Sequence, residues 1–218
     1  MRTFAIGDIH GCLTALRRLE QELHFSSEDT VITLGDYIDR GPDSRGVINE
    51  LIAWRERCHL ITLRGNHEIM MMESRTGGFA RLNWMMNGGN TTMDNYGGDS
   101  MDEIPETHWE FMAKTLPHYE LGQNFYIHAN ADPDVPIENQ PDDSRYWKRL
   151  SEFTPHQSGK RMICGHSSQK NGLPLVLEGA VCIDTFACGG QWLTCLNVDT
   201  NHYWQANEQG DVRQDDLY

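Results

Sequence analysis

Asp8 and His10, then Asp36, Asp39 and Arg40, then Asn66 and His67, then His128, then His166 each stand just past a short apolar run. Imidazole nitrogen with carboxylate or amide oxygen, and no thiolate, suits divalent ions such as manganese, iron or zinc better than a cysteine-bound structural zinc. Six ligands from this set would be too many for one catalytic zinc. They suit two ions about 3.5–4 Å apart bridged by a carboxylate, which clamp a substrate oxygen and turn bound water into a nucleophile. A solvated turn could hold any one of these groups, and the chain has ten histidines. Four of them at strand ends, beside acidic and amide residues in glycine-flanked turns, is a pattern that chance does not readily supply.

The densest of these turns is Gly35 to Gly41, two carboxylates and a guanidinium within seven residues, directly after the apolar Val31 to Leu34. Loops at the carboxyl ends of strands in an α/β sheet lie on one edge and share a crevice. Residues far apart in sequence can therefore meet there.

The elements that must do this positioning can be read in order. Thr3 to Ile6 is a first strand, and Leu13, Leu16, Leu19 and Leu23 recur at helical spacing between Cys12 and His24. Val31 to Leu34 is a second strand, so the first forty residues form a β-turn-α-β unit. Pro42 and Asp43 are helix-start residues for a stripe of Val47, Ile48, Leu51 and Ile52. Leu60 to Leu63 is a third strand, with a helix expected through Ile69 to Glu73 in which Met70, Met71 and Met72 fill the core. From Arg75 to Asp102 three Gly-Gly pairs interrupt the pattern, which predicts a mobile, loop-rich insertion with one short helical piece near Trp84. Thr107 with Glu110 fits a capping box for a further helix. Asn124 to Ile127 and Met162 to Cys164 are strands leading to His128 and His166, with an irregular Asp132 to Asp143 between them. The last third reads as antiparallel strands over Leu175–Leu177, Ala180–Ile183 and Trp192–Val198, and the acidic tail from Asn207 to Tyr218 as loose. There is no linker or internal repeat, so one domain over 1–218 is expected.

Composition narrows the function classes. With 39% hydrophobic and 23% charged residues the chain reads as an ordinary soluble protein. A formal net charge of −14 argues against a nucleic-acid partner, whose binding is driven by cationic neutralisation. Six cysteines show neither a C-x-x-C pair nor scaffold spacing. No run approaches the roughly 18 apolar residues of a membrane span, and Met1 leads straight into a strand without the pattern of a signal peptide. A cytoplasmic protein with reduced thiols and no membrane partner is expected.

Gly-Asp-Ile-His-Gly at 7–11, Gly-Asp-Tyr-Ile-Asp-Arg-Gly at 35–41 and Gly-Asn-His-Glu at 65–68, in that order, resemble the signature of the phosphoprotein phosphatase family of metallophosphoesterases. His128, Gly165-His166, Ile183-Asp184-Thr185 and Gly189-Gly190 extend the resemblance over nearly the whole chain. The compact length is similar to the bacterial and phage branch of lambda-type serine/threonine protein phosphatases. The resemblance implies an α/β, calcineurin-like sandwich of mixed β-sheets flanked by helices, with the site at the strand carboxyl ends. It implies that Asp8, His10 and Asp36 hold one metal, most readily Mn2+ with Fe2+ or Zn2+ as alternatives, while Asp36, Asn66, His128 and His166 hold the other.

By the same resemblance a hydroxide held by the two metals attacks phosphorus, His67 protonates the departing oxygen, Asp39 orients His67, and Arg40 and Asn66 meet the phosphoryl group. Trp147-Lys148-Arg149 matches the branch's second arginine and nominates Arg149, with Arg145 and Arg161 as alternatives. Asn130 departs from the Gly or Asp usual in the family. The implied substrates are phosphoserine and phosphothreonine in proteins, extending to phosphotyrosine. Symmetrical dinucleoside tetraphosphate hydrolases resemble the chain at the first two motifs but carry Gly-Asn-His-Asp at the third, where Glu68 stands here. A third reading, a binding scaffold without chemistry, would be expected to have lost ligands or the acid.

Overall fold

The computed structural model describes residues 2–98 and 100–218. Met1, where the expected signal-free start lies, and Asp99, inside the expected loop, fall outside the described residues. Eleven strands in that range form two mixed sheets. In the first, β1 (Thr3–Ile6), β2 (Thr30–Thr33) and β3 (His59–Thr62) run parallel, joined by α1 (Leu13–Leu23) and α2 (Ser44–Trp54). The α1 stripe is buried as its spacing requires, and Asp43 caps α2 by accepting the Gly46 N–H at 2.7 Å. After β3 come α3 (Asn66–Ser74), α4 (Gly78–Trp84), a π-helical turn over Met85–Gly89, α5 (Asn90–Asn95) and α6 (Glu106–Ala113).

The second sheet is built from β4 (His118–Leu121), β5 (Asn124–Ile127), β6 (Arg161–Cys164), β7 (Leu175–Leu177) and β8 (Ala180–Cys182), in the order β4-β5-β6-β8-β7. Before β6 lies the short α7 (Asp142–Tyr146). β9 (Leu193–Asn197), β10 (His202–Ala206) and β11 (Val212–Asp216) return to the first sheet, giving β11-β10-β9-β1-β2-β3.

Period-two alternation explains the layers. Ala5, Ile32 and Leu196 point from the first sheet onto Tyr126, Ile163 and Val181 of the second, a shared apolar layer between the sheets. Phe4, Ile6 and Val31 point the other way and meet Leu16, Leu19, Val47, Ile48 and Leu51 of the helices. On the far side of the second sheet, Phe125, Ile127 and Met162 pack with Ile137 and Leu150. The fold is an α/β sandwich of two mixed sheets flanked by helices, as expected. Both sheets contribute three parallel strands, β1, β2, β3 and β5, β6, β8, whose carboxyl ends meet.

Four expectations are corrected. The 75–102 stretch is mostly helical, because Gly77 and Gly78 open α4 and Gly88, at φ 111°, kinks the chain between α4 and α5. Glu106 begins α6 after Pro105, with no side-chain cap from a Thr107–Glu110 box. β8 is antiparallel to β7 but parallel to β6. The tail is not loose, since β11 pairs with β10 from His202–Asp216 to Ala206–Val212; its acidic side chains mark an edge strand. Among the described residues no helix is long and apolar enough to cross a membrane.

Gly35 shows how tightly the strand ends meet. Its φ is +104°, and a Cβ there would lie 2.5 Å from Gly65 N. Gly35→Ala is expected to cost about 1–3 kcal/mol from the backbone alone, with the overlap added. Urea unfolding of the metal-free protein measures it, and an unchanged midpoint would contradict the crowding.

Candidate metal centre and active site

Each parallel strand end delivers part of one cluster. Asp8 and His10 follow β1, Asp36 follows β2, Asn66 and His67 follow β3, His128 follows β5, His166 follows β6, and Asp184 follows β8. Asp8, Asp36, Arg40, Asn66, His67, Arg149, His166, Ser168 and Asp184 line one recess of about 50 Å³. A larger hollow of about 460 Å³ between α3 and α7 holds none of the motif residues, and one of about 250 Å³ shares only Arg149 and Ser168 with the recess. The donor set locates the site; volume does not.

The backbone is held out of the common regions here. Of eight non-glycine residues with positive φ among those described, His10, Asp36, Asp39, Arg40 and His166 are five. Much of the restraint comes from Glu68. Its buried carboxylate accepts the Asp36 and Gly65 N–H groups at 2.9 Å and the Tyr37 N–H at 2.8 Å, tying the second motif to the third. Burial pushes the Glu68 carboxyl up to about 7, the Asp36 charge adds to the rise, and the N–H donors oppose it.

The histidines divide by what anchors them. His10 Nδ1 donates to the Ile38 carbonyl at 2.8 Å, His128 Nδ1 to that of Leu34 at 2.8 Å, and His166 Nε2 to that of Trp147 at 3.1 Å. Each therefore presents its other nitrogen, unprotonated, to the cluster, the form in which a metal binds imidazole. Burial lowers His10 to about 3 and His166 to about 4, so neither need shed a proton near neutrality.

His67 differs. Its Nδ1 lies 2.6 Å from Asp39 Oδ2, and its Nε2 faces the recess 4.0 Å from Asp36 Oδ2. Burial alone would lower it, but the Asp36 charge and the Asp39 hydrogen bond outweigh that and raise it. Three histidines are thus anchored through one ring nitrogen to a backbone carbonyl, and the fourth to a carboxylate.

The oxygens point the same way. Asp8 Oδ2 accepts the His166 N–H at 2.9 Å, whereas its Oδ1 is buried without a partner. Burial raises Asp8 well above the carboxylate range, and Asp184 and Asp36 nearby add to this. Asp36 is also pushed up by burial, but the imidazoles of His128, His67, His10 and His166 reverse the shift and hold it below the usual range. With its carbonyl inward, Asn66 brings Oδ1 to 3.1 Å from His128 Nε2, and to 3.2–3.3 Å from the Asp36 oxygens and His166 Nδ1. Turned the other way, the Asn66 amide N–H groups donate to these same atoms; the inward carbonyl is the orientation a bound cation would favour. His10, Asp36 and His67 form one geometric group able to hold an ion, and Asp36, His128 and His166 a second. Asp36 belongs to both. His67 stands in the first group where the resemblance implies Asp8, but the Nδ1 contact with a carboxylate fits it to proton transfer.

Arg40 and Arg149 stand exposed at the mouth of the recess. Arg40 Nη1 lies 2.9 Å from His10 Nε2, using the lone pair that a metal would take. Arg145 instead donates to the Glu138 carbonyl, and Arg161 to Asn124, Asn201 and Val198; neither lines the recess. Asn130 holds the second arginine's backbone, its Nδ2 donating to the Arg149 carbonyl at 3.2 Å.

Sequence reasoning assigned no role to Asp184, Ser168, Trp84 or Thr92. Ser168 Oγ donates to Asp184 Oδ2 at 2.6 Å, and the Phe186 N–H to Oδ1 at 3.1 Å. An acid just past an apolar run was the available signal for Asp184. Trp84 and Thr92 touch Asp39 from the stretch expected to be a loop, and nothing in their spacing announces it.

A sequence profile of calcineurin-like phosphoesterases matches residues 1–171. The chain belongs to that family. It is 39% identical over 87 residues to serine/threonine-protein phosphatase 1 of Salmonella typhimurium, covering 39% of this chain and 38% of that one. Against serine/threonine-protein phosphatase 2 of the same organism, identity is 33% over 198 residues, covering 85% and 78%. A symmetrical bis(5'-nucleosyl)-tetraphosphatase of Pseudomonas syringae pv. syringae is 30% identical over 135 residues, covering 61% and 43%. The chain thus spans under half of the first and third of these relatives. A crystal structure of a cold-active protein-tyrosine phosphatase from a psychrophilic Shewanella superposes with a TM-score of 0.69 at 15% identity, covering 98% of this chain and 80% of that one. The resemblance to phosphoprotein phosphatases fits these findings. The protein is a metallophosphoesterase, and its fold implies a dinuclear centre for divalent ions.

Asp36→Asn removes one negative charge from the only carboxylate common to both ion groups. It is expected to lower manganese stoichiometry from two to one or fewer at micromolar metal, read by titration calorimetry and elemental analysis. A variant holding two ions as tightly as the parent would contradict the shared ligand.

Proposed function

We propose that the protein is a metal-dependent phosphomonoesterase that removes phosphate from phosphoserine and phosphothreonine in proteins, and from phosphotyrosine as well. The observation that carries this reading is the recess: about 50 Å³, two arginines at its mouth and one proton-carrying histidine inside. A recess this small and polar suits a terminal group such as a phosphoryl, with the rest of the substrate outside. Two guanidinium groups match the oxygens of one phosphoryl group.

In this reading Asp8, His10 and Asp36 hold one ion, and Asp36, Asn66, His128 and His166 the other, manganese before iron or zinc. Such a pair, when bound, supplies charge neutralisation and water activation for phosphate-ester hydrolysis. Arg40 and Arg149 bind and orient the non-bridging oxygens, with Asn66 close by. His67 Nε2 carries the proton that passes to the departing oxygen, while Asp39 holds Nδ1–H and keeps the ring aimed. We also propose that residues 1–218 work as one domain, which the apolar layer shared by both sheets supports, and that the setting is a reducing, cytoplasmic one, in keeping with six free cysteines.

The second reading, symmetrical hydrolysis of dinucleoside tetraphosphates, is supported by relatives of that name. A tetraphosphate carries several charges along its length, whereas the recess offers cationic side chains for one phosphoryl group. Glu68 at the third motif also favours the first reading. Manganese-loaded protein is expected to release inorganic phosphate from a phosphoserine peptide with kcat/KM at least tenfold above that for diadenosine tetraphosphate. The opposite ranking would move the assignment to the second reading.

His67→Asn is expected to retain both ions and lose about 10²–10³-fold in kcat on an alkyl phosphate, with a much smaller loss on an aryl phosphate whose leaving group needs little protonation. Equal losses on the two esters would remove His67 from the acid role.

A further inference from the structure

We propose that Trp84 and Thr92, carried by the helical insertion between Gly78 and Asn95, are positioning residues for the general acid. They fix the Asp39 carboxylate and through it the tautomer and aim of His67. The proposal rests on the reading of His67 as the acid.

Asp39 is fully buried, and its two oxygens are shared among three donors. Oδ2 lies 2.6 Å from His67 Nδ1 and accepts the Trp84 Nε1–H at 2.9 Å. Oδ1 accepts the Thr92 hydroxyl at 2.6 Å and takes a second, longer contact of 3.1 Å from Trp84 Nε1. A carboxylate holding only the histidine could rotate about its Cβ–Cγ bond and tilt its plane away from the imidazole. With both oxygens engaged from the insertion, only one orientation keeps all three bonds.

The donors are themselves restrained. The Thr92 hydroxyl accepts the Asp39 N–H at 2.9 Å and lies 3.0 Å from Ser44 Oγ, so its proton is directed at the carboxylate. The Trp84 indole is fully buried against the backbone of Gly89, where a Cβ would lie 2.6 Å from the ring. Asn95 closes the same contact from the far end of α5, accepting the Ser44 N–H at 2.7 Å and donating to the Pro42 carbonyl at 2.9 Å. The insertion is therefore clamped onto the 39–44 turn at three places. On its outer side Phe79, Leu82 and Met86 are exposed, so its inward and outward faces serve different ends.

The prediction separates positioning from packing. Trp84→Phe keeps an aromatic ring on Gly89 and removes only the N–H, and Thr92→Val removes only the hydroxyl. Each is expected to lower kcat on an alkyl phosphate about 5–30-fold, part of the roughly 10²–10⁴-fold that general acids contribute. On an aryl phosphate the loss should stay under about threefold, with KM and manganese stoichiometry unchanged. In a His67→Asn background neither should cause a further loss, as expected for groups acting through one another. Phe79→Ser, on the exposed side, serves as the control that leaves both rates unchanged.

A second readout needs neither metal nor turnover. The His67 Nδ1–H proton of the metal-free protein is expected to give a slowly exchanging downfield resonance in proton–nitrogen spectra, broadened or lost in Trp84→Phe and Thr92→Val. Equal losses on both esters, additivity with His67→Asn, or an undisturbed resonance in both variants would overturn the proposal. If His67→Asn itself fails to discriminate between esters, the acid reading falls and the proposal with it. If His67→Asn discriminates and the two insertion variants do not, the proposal falls alone.

Discussion

Three buried carboxylates, Asp8, Asp36 and Asp184, face a common recess where the two sheets meet, and much of the local structure is arranged to keep charge there. Removing such groups from water costs several kcal/mol each unless partners compensate. The compensation is deliberately incomplete. Asp36 Oδ1 accepts the His67 N–H at 3.1 Å, Asp8 Oδ2 accepts that of His166, and Asp184 has Ser168 and the Phe186 N–H. Asp8 Oδ1 is left buried without a partner, and His128 Nε2 and His166 Nδ1 face the recess beside the Asn66 amide. A surplus of acceptors in a confined space is a specification for cations, written in the chain before any ion arrives.

Keeping those groups aimed requires backbone that would relax elsewhere. His10, Asp36, Asp39, Arg40 and His166 all sit at positive φ. Residues held in that region cost of order 1–3 kcal/mol each when the surroundings do not over-determine them. The surroundings here do: the Glu68 carboxylate pins Asp36, Tyr37 and Gly65 together, and Ile9 and His10 N–H groups both donate to the Asp36 carbonyl at 3.1 and 2.8 Å. The first, second and third motifs are thus one hydrogen-bonded body. Aspartate in place of Glu68 would be one methylene shorter, so the third motif's last letter is tied to how far apart the strand ends stand.

Much of this was legible in the chain because buried parallel strands and amphipathic helices announce themselves by period. The strands before His10, Asp36, Asn66, His128 and His166 were found within a residue or two, and their carboxyl-end turns meet as the topology rule requires. What escaped was decided by tertiary contact. Gly77, Gly78, Gly88 and Gly89 read as breakers, yet Gly89 is where the Trp84 indole lies and Gly88 accepts the Arg40 N–H, so they make a packing surface inside a helical insertion. The polar β11 lacks the alternation of a half-buried strand because pairing with β10, not burial, holds it. The Trp147-Lys148-Arg149 match nominated Arg149 and left Arg145 and Arg161 as alternatives; the fold shows that of the three Arg149 lines the recess.

The charge distribution completes the argument. A chain with a net charge of −14 would repel a polyanion at long range, and that repulsion grows with each phosphate a substrate carries. At physiological salt, exposed charges beyond about 8 Å are largely screened, so a single phosphoryl group that reaches the mouth meets Arg40 and Arg149 more strongly than the distant acids. Extra phosphates left outside the recess would meet the acidic surface without those arginines. In the proposed reading, the two arginines at the rim favour substrates whose concentrated negative charge is the group to be removed.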